Sequence, residues 1–264
     1  MNEIEEILEK VYNNPEARKS VVPLFIGNPG LGKSRIIEKF AKTKGVKLVE
    51  LITSQMSPFE VSGICVPVHS TGKMSYYNLD KLEALENGDI LFFDELLNGN
   101  PVVLNACLTI LEQRKFISGK ALPNIMIIAA ANPQGQVPIT PQIKERFVWY
   151  NVKFDKNMWI TYMKEKYQIT IEIGNKLVNL INNESFTTEN FYTPRSIDKA
   201  VNMIVNNIPT PYKKIIDVIL NTLVKNPFED AVELPDGTTL EKDEMVSWLK
   251  LMKLKNNTYE TITK

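Results

Sequence analysis

The sequence predicts an α/β fold: a doubly wound parallel sheet of five strands, followed by a smaller all-α domain at the carboxyl end. Three observations predict it. Short apolar runs at Val21–Ile26, Val46–Leu51, Ile90–Phe93, Ile125–Ala130 and Val148–Phe154 alternate with stretches of helical periodicity. A glycine-rich turn, Gly27-Asn28-Pro29-Gly30-Leu31-Gly32-Lys33-Ser34, lies between the first apolar run and a helical one. Beyond Phe154 the apolar residues, among them Trp159, Tyr162, Met163, Leu177, Ile197, Val201 and Ile204, fall at helical spacings without intervening strands. The expected division is therefore an α/β domain over residues 1–154 and a helical domain over residues 155–264.

Ile4, Ile7, Leu8 and Val11 recur at helical spacing in a charged segment and predict a short amphipathic helix ended by Asn13-Asn14-Pro15. In the strand that follows, Pro23 is placed at the beginning, because proline has no ladder donor. A helix is expected over Lys33–Thr43 and a strand over Val46–Leu51. From Ser57 to Asn78, prolines, glycines and alternating runs such as Ile64-Cys65-Val66-Pro67-Val68 predict a β-hairpin inserted into a broken helix. The helix resumes over Leu79–Leu85 and stops at Asn87-Gly88, which suits a left-handed cap. Ile90–Phe93 is apolar without a break, as a strand buried on both faces should be. Pro101–Gln113 reads as a helix with Asn98 or Asn100 as its cap and Pro101 in its first turn. Lys115–Asn124 predicts a hairpin turning near Ser118-Gly119-Lys120, and a short helix closes over Ile143–Phe147. Towards the end, Leu234-Pro235-Asp236-Gly237 marks a turn before a last helix over Lys242–Met252, with a frayed tail from Asn256.

Composition narrows the class. The 264 residues are 44% hydrophobic and 23% charged, and 31 basic side chains balance 31 acidic ones. Such a chain can bury a real core, and its zero net charge argues against a whole-chain basic footprint for nucleic acid. Cys65, Cys107 and the single histidine, His69, form no cluster with metal-ligand spacing. The acidic, helical amino terminus resembles neither a signal peptide nor a membrane span, so a reduced, cytoplasmic setting is expected.

Gly27–Ser34 fits the glycine, four residues, Gly-Lys-Ser pattern of a phosphate-binding P-loop. A loop that wraps a polyphosphate must bring backbone N–H groups against its oxygens, and glycine bends there without a Cβ in the way. The following helix points its N-terminus at the anion. Asn28, Pro29, Gly30, Leu31, Gly32, Lys33, Ser34 and Arg35 are the expected nucleotide contacts, with Lys33 along the β and γ phosphates and the Ser34 hydroxyl on Mg²⁺. Asp94 ends an apolar strand, the arrangement that delivers a second Mg²⁺ ligand. Glu95 beside it is the candidate for polarising an attacking water, since phosphoryl transfer depends on positioning and electrostatics.

These residues carry a resemblance. Gly27–Ser34 as Walker A, Asp89-Ile90-Leu91-Phe92-Phe93-Asp94-Glu95 as Walker B and Ala130-Ala131-Asn132-Pro133 resemble the AAA+ ATPases, a branch of the P-loop NTPases. The insert between Ser57 and Asn78, the Lys115–Asn124 hairpin and Glu145-Arg146-Phe147 are similar to the MoxR-like branch, which carries a helix-2 insert. The resemblance spans about Val21 to Asn206. It implies Asn132 as sensor 1, Arg146 as an arginine finger reaching a neighbouring subunit, and Arg195 as sensor 2 at the start of a lid helix. Arg114 in Leu-Glu-Gln-Arg competes for the finger role. A guanidinium suits that role because it stays charged and binds phosphate oxygens as a fork. One departure stands out: Leu96-Leu97-Asn98-Gly99-Asn100 replaces the isoleucine-asparagine-arginine type of stretch seen in relatives.

The resemblance implies ATP and Mg²⁺ as ligands and a homo-oligomer, a hexameric ring with nucleotides at subunit boundaries. The leading expectation is a ring that remodels or activates a protein partner. Tyr76, Tyr77, His69 and Lys73 on the insert are either partner contacts or a solvated hairpin surface. The alternatives are a DNA-associated motor, with Lys73, Lys115 and Lys120 on its hairpins, and a nucleotide-gated scaffold that scarcely hydrolyses ATP. Membrane partners are not expected.

Overall fold

The computed structural model describes residues 3–116, 118–181, 192–206, 208, 210–225, 231–233 and 239–241. The chain separates into two compact units, Met1–Lys153 and Phe154–Lys264.

The first unit opens with α1 (Glu3–Tyr12), which buries Ile4, Leu8 and Val11. Asn14, expected only to stop this helix, also starts the next one. Its side chain accepts from the backbone N–H of Glu16 and Ala17 and caps α2 (Pro15–Ser20), with Pro15 in the first turn where its missing N–H costs nothing. Five strands build the central sheet: β1 (Pro23–Ile26), β2 (Leu48–Ile52), then, after the insert, β5 (Ile90–Asp94), β6 (Met126–Ala131) and β7 (Val148–Asn151). Their order is β2-β5-β6-β1-β7, and every pairing is parallel. Pro23 stands at the first position of β1, which allows proline in a strand flanked on both sides.

The strands alternate cleanly between two layers. Leu24, Ile26, Leu91, Phe93, Ile127 and Ala129 face one buried cluster, shared with Leu104, Cys107 and Leu111 of α6 (Pro101–Gln113). Phe25, Ile90, Phe92, Ile128 and Ala130 face the other, shared with α1 and with α3 (Lys33–Lys44). A period-2 pattern in strands that look uniformly apolar is thus what divides the helices between the two faces.

The insert is α4 (Pro58–Ser62), then β3 (Ile64–Val68) antiparallel to β4 (Lys73–Tyr77), then α5 (Asp80–Glu83). This is the hairpin in a broken helix that the sequence predicts, although the resumed helix is shorter than expected. The Lys115–Asn124 segment differs. It closes on one isolated bridge, Lys115 to Ala121, with Phe116 N–H donating to Lys120 O at 2.9 Å, instead of two strands. A short helix, α7 (Pro141–Arg146), capped by the Thr140 hydroxyl, leads into β7.

The second unit contains α8 (Lys156–Tyr167), α9 (Ile171–Val178), α10 (Pro194–Val205) and α11 (Lys213–Lys225) around Met163, Leu177, Ile197 and Val201. Asp198 ties α10 to α8 by accepting from Tyr162 OH, Lys166 Nζ and Tyr167 OH at 2.9–3.0 Å. An all-α unit was the expectation, but β8 (Ala231–Glu233) and β9 (Thr239–Glu241) pair antiparallel. Val232 and Thr239 flank the predicted turn, and β-branched residues on either side of a Pro-Asp-Gly signal favour a hairpin. The turn residues themselves, the predicted last helix over 242–252 and the tail lie outside the described residues.

Candidate functional site

Parallel pairing brings the carboxyl ends of β1, β5 and β6 into line: Ile26 pairs with Ala131, Phe93 with Ala129, and Gly27 N–H continues the ladder to Ala131 O at 3.2 Å. The glycine-rich loop leaves β1 at this edge. Gly30 and Gly32 have φ of 84° and 83°, left-handed conformations that a Cβ disfavours, and they curl the loop back over the sheet. At Gly27 close approach forbids a side chain, since a Cβ there would lie 2.8 Å from Val152 O.

Gly32 caps α3 without any side-chain hydrogen bond, and no acidic residue stands in the first turn of this helix. A glycine cap offers these leading N–H groups no side-chain oxygen of its own, an arrangement that suits an anion-binding helix end. Lys33 is 8% exposed, and its ammonium donates to Gly27 O at 2.6 Å, Asn28 O at 3.2 Å and Asn132 Oδ1 at 3.3 Å. A buried ammonium held by carbonyl oxygens can exchange one of them for a phosphate oxygen without losing its charge-assisted bonds. Asn28, Pro29 and Arg35 are exposed, while Leu31 and Ser34 are half-buried.

Ser34 Oγ donates to Asp94 Oδ2 at 2.5 Å, joining the second motif to the first across sixty residues of sequence. A hydroxyl and a carboxylate in contact beside a phosphate-receptive loop are a donor set that fits Mg²⁺, a cation satisfied by one or two protein oxygens plus phosphates and water. Among the described residues there is no group of three or more His, Cys, Asp or Glu side chains able to hold a metal by themselves.

Glu95 adopts φ 54°, a left-handed conformation uncommon outside glycine, and so turns its side chain away from the strand direction. Its carboxylate accepts a short hydrogen bond from Ser54 Oγ. The Thr53 hydroxyl lies 3.1 Å from Asp94 O and 2.9 Å from Glu95 O, and Glu95 N–H donates to Asp94 Oδ1 at 2.8 Å. Thr53 and Ser54 were not singled out in the sequence. Their signal is only that they directly follow β2, the strand paired with β5. Glu50, on β2 as well, is held above the usual carboxylate range by burial and then by the charges of Asp94 and Glu38.

Asn132 follows β6 directly, and its amide oxygen reaches Lys33. The segment beyond it is locked to the turn after Glu95: Val137 N–H donates to Leu97 O at 2.9 Å, and a Cβ on Gly135 would come within 2.5 Å of Leu97 Cβ.

The two candidate arginine fingers differ. Arg114, itself left-handed at φ 50°, donates through Nη2 to Ile125 O at 2.7 Å and Arg18 O at 3.4 Å, and burial lowers its pKa. That side chain staples the end of α6 to the start of β6. Arg146, the last residue of α7, forms an ion pair with Glu112 of α6 and donates to Gln142 O at 2.6 Å. Arg195 stands in the first turn of α10, whose cap is the Thr193 and Ser196 capping box. It belongs to the second unit.

Comparison with known proteins agrees with this geometry. Residues 23–147 match the family model described as AAA domain (dynein-related subfamily). Among curated relatives, an uncharacterized protein of Methanocaldococcus jannaschii, MJ0812, is 25% identical over 122 residues, covering 44% of this chain and 31% of its own length. Midasin of Dictyostelium discoideum is 29% identical over 123 residues, which is 43% of this chain and 2% of midasin. The chain thus spans less than a third of either relative. Among solved structures, the Thermotoga maritima RuvB Holliday junction branch migration motor superposes with a TM-score of 0.51 at 15% identity, covering 94% of this chain and 68% of RuvB, a likeness of fold. No helix among the described residues is long and apolar enough to cross a membrane. Residues 23–147 are thus similar in sequence to AAA domains, and the parallel sheet they help build carries the loop and carboxylate that such domains use to hold a nucleotide.

Proposed function

We propose that the chain hydrolyses Mg-ATP as a ring of identical subunits and uses the cycle to remodel or activate a protein partner, in the manner of MoxR-like ATPases. The observation that supports hydrolysis most directly is the meeting of Lys33 and Ser34, Asp94 and Asn132, from three separate points in the sequence, at one edge of the sheet. In this reading the loop amides and Lys33 bind the β and γ phosphates. Ser34 and Asp94 hold Mg²⁺, which would supply charge neutralisation on the phosphates. Glu95, oriented by Ser54, polarises the attacking water, and Asn132 positions it. Arg146 completes the site of the neighbouring subunit, and Arg195 serves as sensor 2.

The insert supports a protein partner. Ile64, Met74, Tyr76 and Tyr77 are 46–59% exposed on β3 and β4, whose strand positions carry one cation, Lys73. Apolar and aromatic side chains of this kind suit a protein surface better than a phosphate backbone, which is bound by clustered Lys and Arg.

The test is steady-state ATP hydrolysis over a range of protein concentrations, with and without single- and double-stranded DNA at two salt levels. Specific activity is expected to rise with protein concentration and to ignore DNA. Flat specific activity would remove the shared-site ring, and stimulation by DNA that fades with salt would replace the protein-partner reading with a DNA motor.

A further inference from the structure

We infer that Glu112 is a positioning residue for Arg146: it holds the guanidinium against its own subunit and so sets the protein concentration at which shared active sites form. The inference rests on the reading of Arg146 as a finger acting on a neighbouring subunit.

Three observations carry it. Glu112 lies in the last turn of α6 and pairs with Arg146 at the end of α7, while that guanidinium also donates, among the described residues, to Gln142 O within the same short helix. The Arg146 side chain is 24% exposed and that of Glu112 is 49% exposed, so the pair sits at the surface, where the guanidinium can swing out. Arg146 Nε is buried without a hydrogen-bond partner, so the inward pose leaves one donor unmet. Arg114 also leaves one donor, Nη1, unmet, but it differs in its acceptors, the backbone carbonyls of Arg18 and Ile125, where Arg146 is held by a side-chain carboxylate.

A guanidinium bound to a carboxylate must leave it before it can bind a phosphate oxygen, since both use the same donors. The fraction of subunits with the arginine released multiplies the apparent affinity for the neighbour's nucleotide site. Removing the Glu112 charge raises that fraction while leaving the assembled site unaltered. An exposed ion pair is weak, so the shift is about two- to fivefold in the half-activating protein concentration.

The experiment measures ATP hydrolysis against protein concentration for the full chain and for Glu112→Gln, Arg146→Ala and the double variant. Glu112→Ala serves as a second probe, and circular dichroism melting checks folding of each. The expected result is a lower half-activating concentration for both Glu112 variants, the same turnover at saturation, and a double variant no different from Arg146→Ala. An unchanged or higher half-activating concentration overturns the inference, as does a Glu112 effect that persists without Arg146. Failure of the underlying reading has a different signature. If mixing Arg146→Ala with Glu95→Gln subunits restores no activity beyond the sum of the two, Arg146 does not act across a boundary, whatever Glu112 does.

Discussion

The carboxyl edge of the central sheet and the β3–β4 hairpin follow opposite rules of construction. At the edge, polar side chains satisfy one another: Lys33 meets Asn132, Ser34 meets Asp94 and Ser54 meets Glu95, above strands β5 and β6 that are buried almost throughout. On the hairpin, apolar side chains go unsatisfied on both faces. Cross-strand pairing puts Ile64 with Tyr77 on one face and Pro67 with Met74 and Cys65 with Tyr76 on the other, all largely open to water. The edge is specified by interactions inside the chain. Packing among the described residues gives no reason for the hairpin's composition, which is the composition the proposed protein partner would use.

The sharpest way to break this comparison uses the cysteines, one in each setting. Cys107 is fully buried in α6, and burial pushes its thiol up to about 12, so at neutral pH it is both shielded and protonated. Cys65 is exposed on β3. Under native conditions a maleimide should label Cys65 at least ~10³-fold faster than Cys107, whose labelling requires opening of the core. Comparable rates, followed by mass spectrometry, would mean that the α6 layer is not a closed core. Next in size, Glu95→Gln should leave ATP bound but lower turnover by about two to three orders of magnitude, the range for losing a positioned proton acceptor. Turnover within a few-fold of the parent would remove Glu95 from the reaction. Lys33→Ala should weaken ATP binding by roughly a hundredfold, the worth of charge-assisted bonds, and a fluorescent-nucleotide titration with unchanged affinity would contradict the P-loop assignment. The smallest effect belongs to the hairpin: Tyr76→Ser and Tyr77→Ser should each change unfolding free energy by no more than about 0.5 kcal/mol, as exposed positions do. A larger loss by denaturant titration would show that the hairpin packs within its own subunit after all.

Much of the first unit was legible because its signals are local. Five apolar runs became the five strands, and Asn100 and Pro101 open α6 as their spacing indicates. The P-loop and the Asp94-Glu95 pair could be found from spacing because phosphate geometry demands those residue types in that order. The order of strands was not legible, since β2 pairs with β5 and β1 with β6 through side chains that look alike in sequence. Thr53 and Ser54 escaped notice because hydroxyl residues at strand ends are common, and only the β2–β5 register brings them beside Glu95. Glu112 escaped for a similar reason, as its partner Arg146 lies on a different helix. Asn14-Pro15 was read as a stop, although the same dipeptide also starts a helix.

The left-handed backbone at Glu95 separates two demands that usually coincide at one position. That conformation costs a residue with a Cβ roughly 1–2 kcal/mol, less for asparagine and aspartate and most for β-branched side chains, whereas glycine, without a Cβ, adopts it freely. In a library covering every amino acid at position 95, selection for folded protein should therefore enrich glycine and asparagine and deplete valine, isoleucine and threonine. Selection for growth that depends on turnover should retain glutamate. The two rankings would separate what the turn requires from what the carboxylate contributes, at a site where the native residue is the better choice for only one of them.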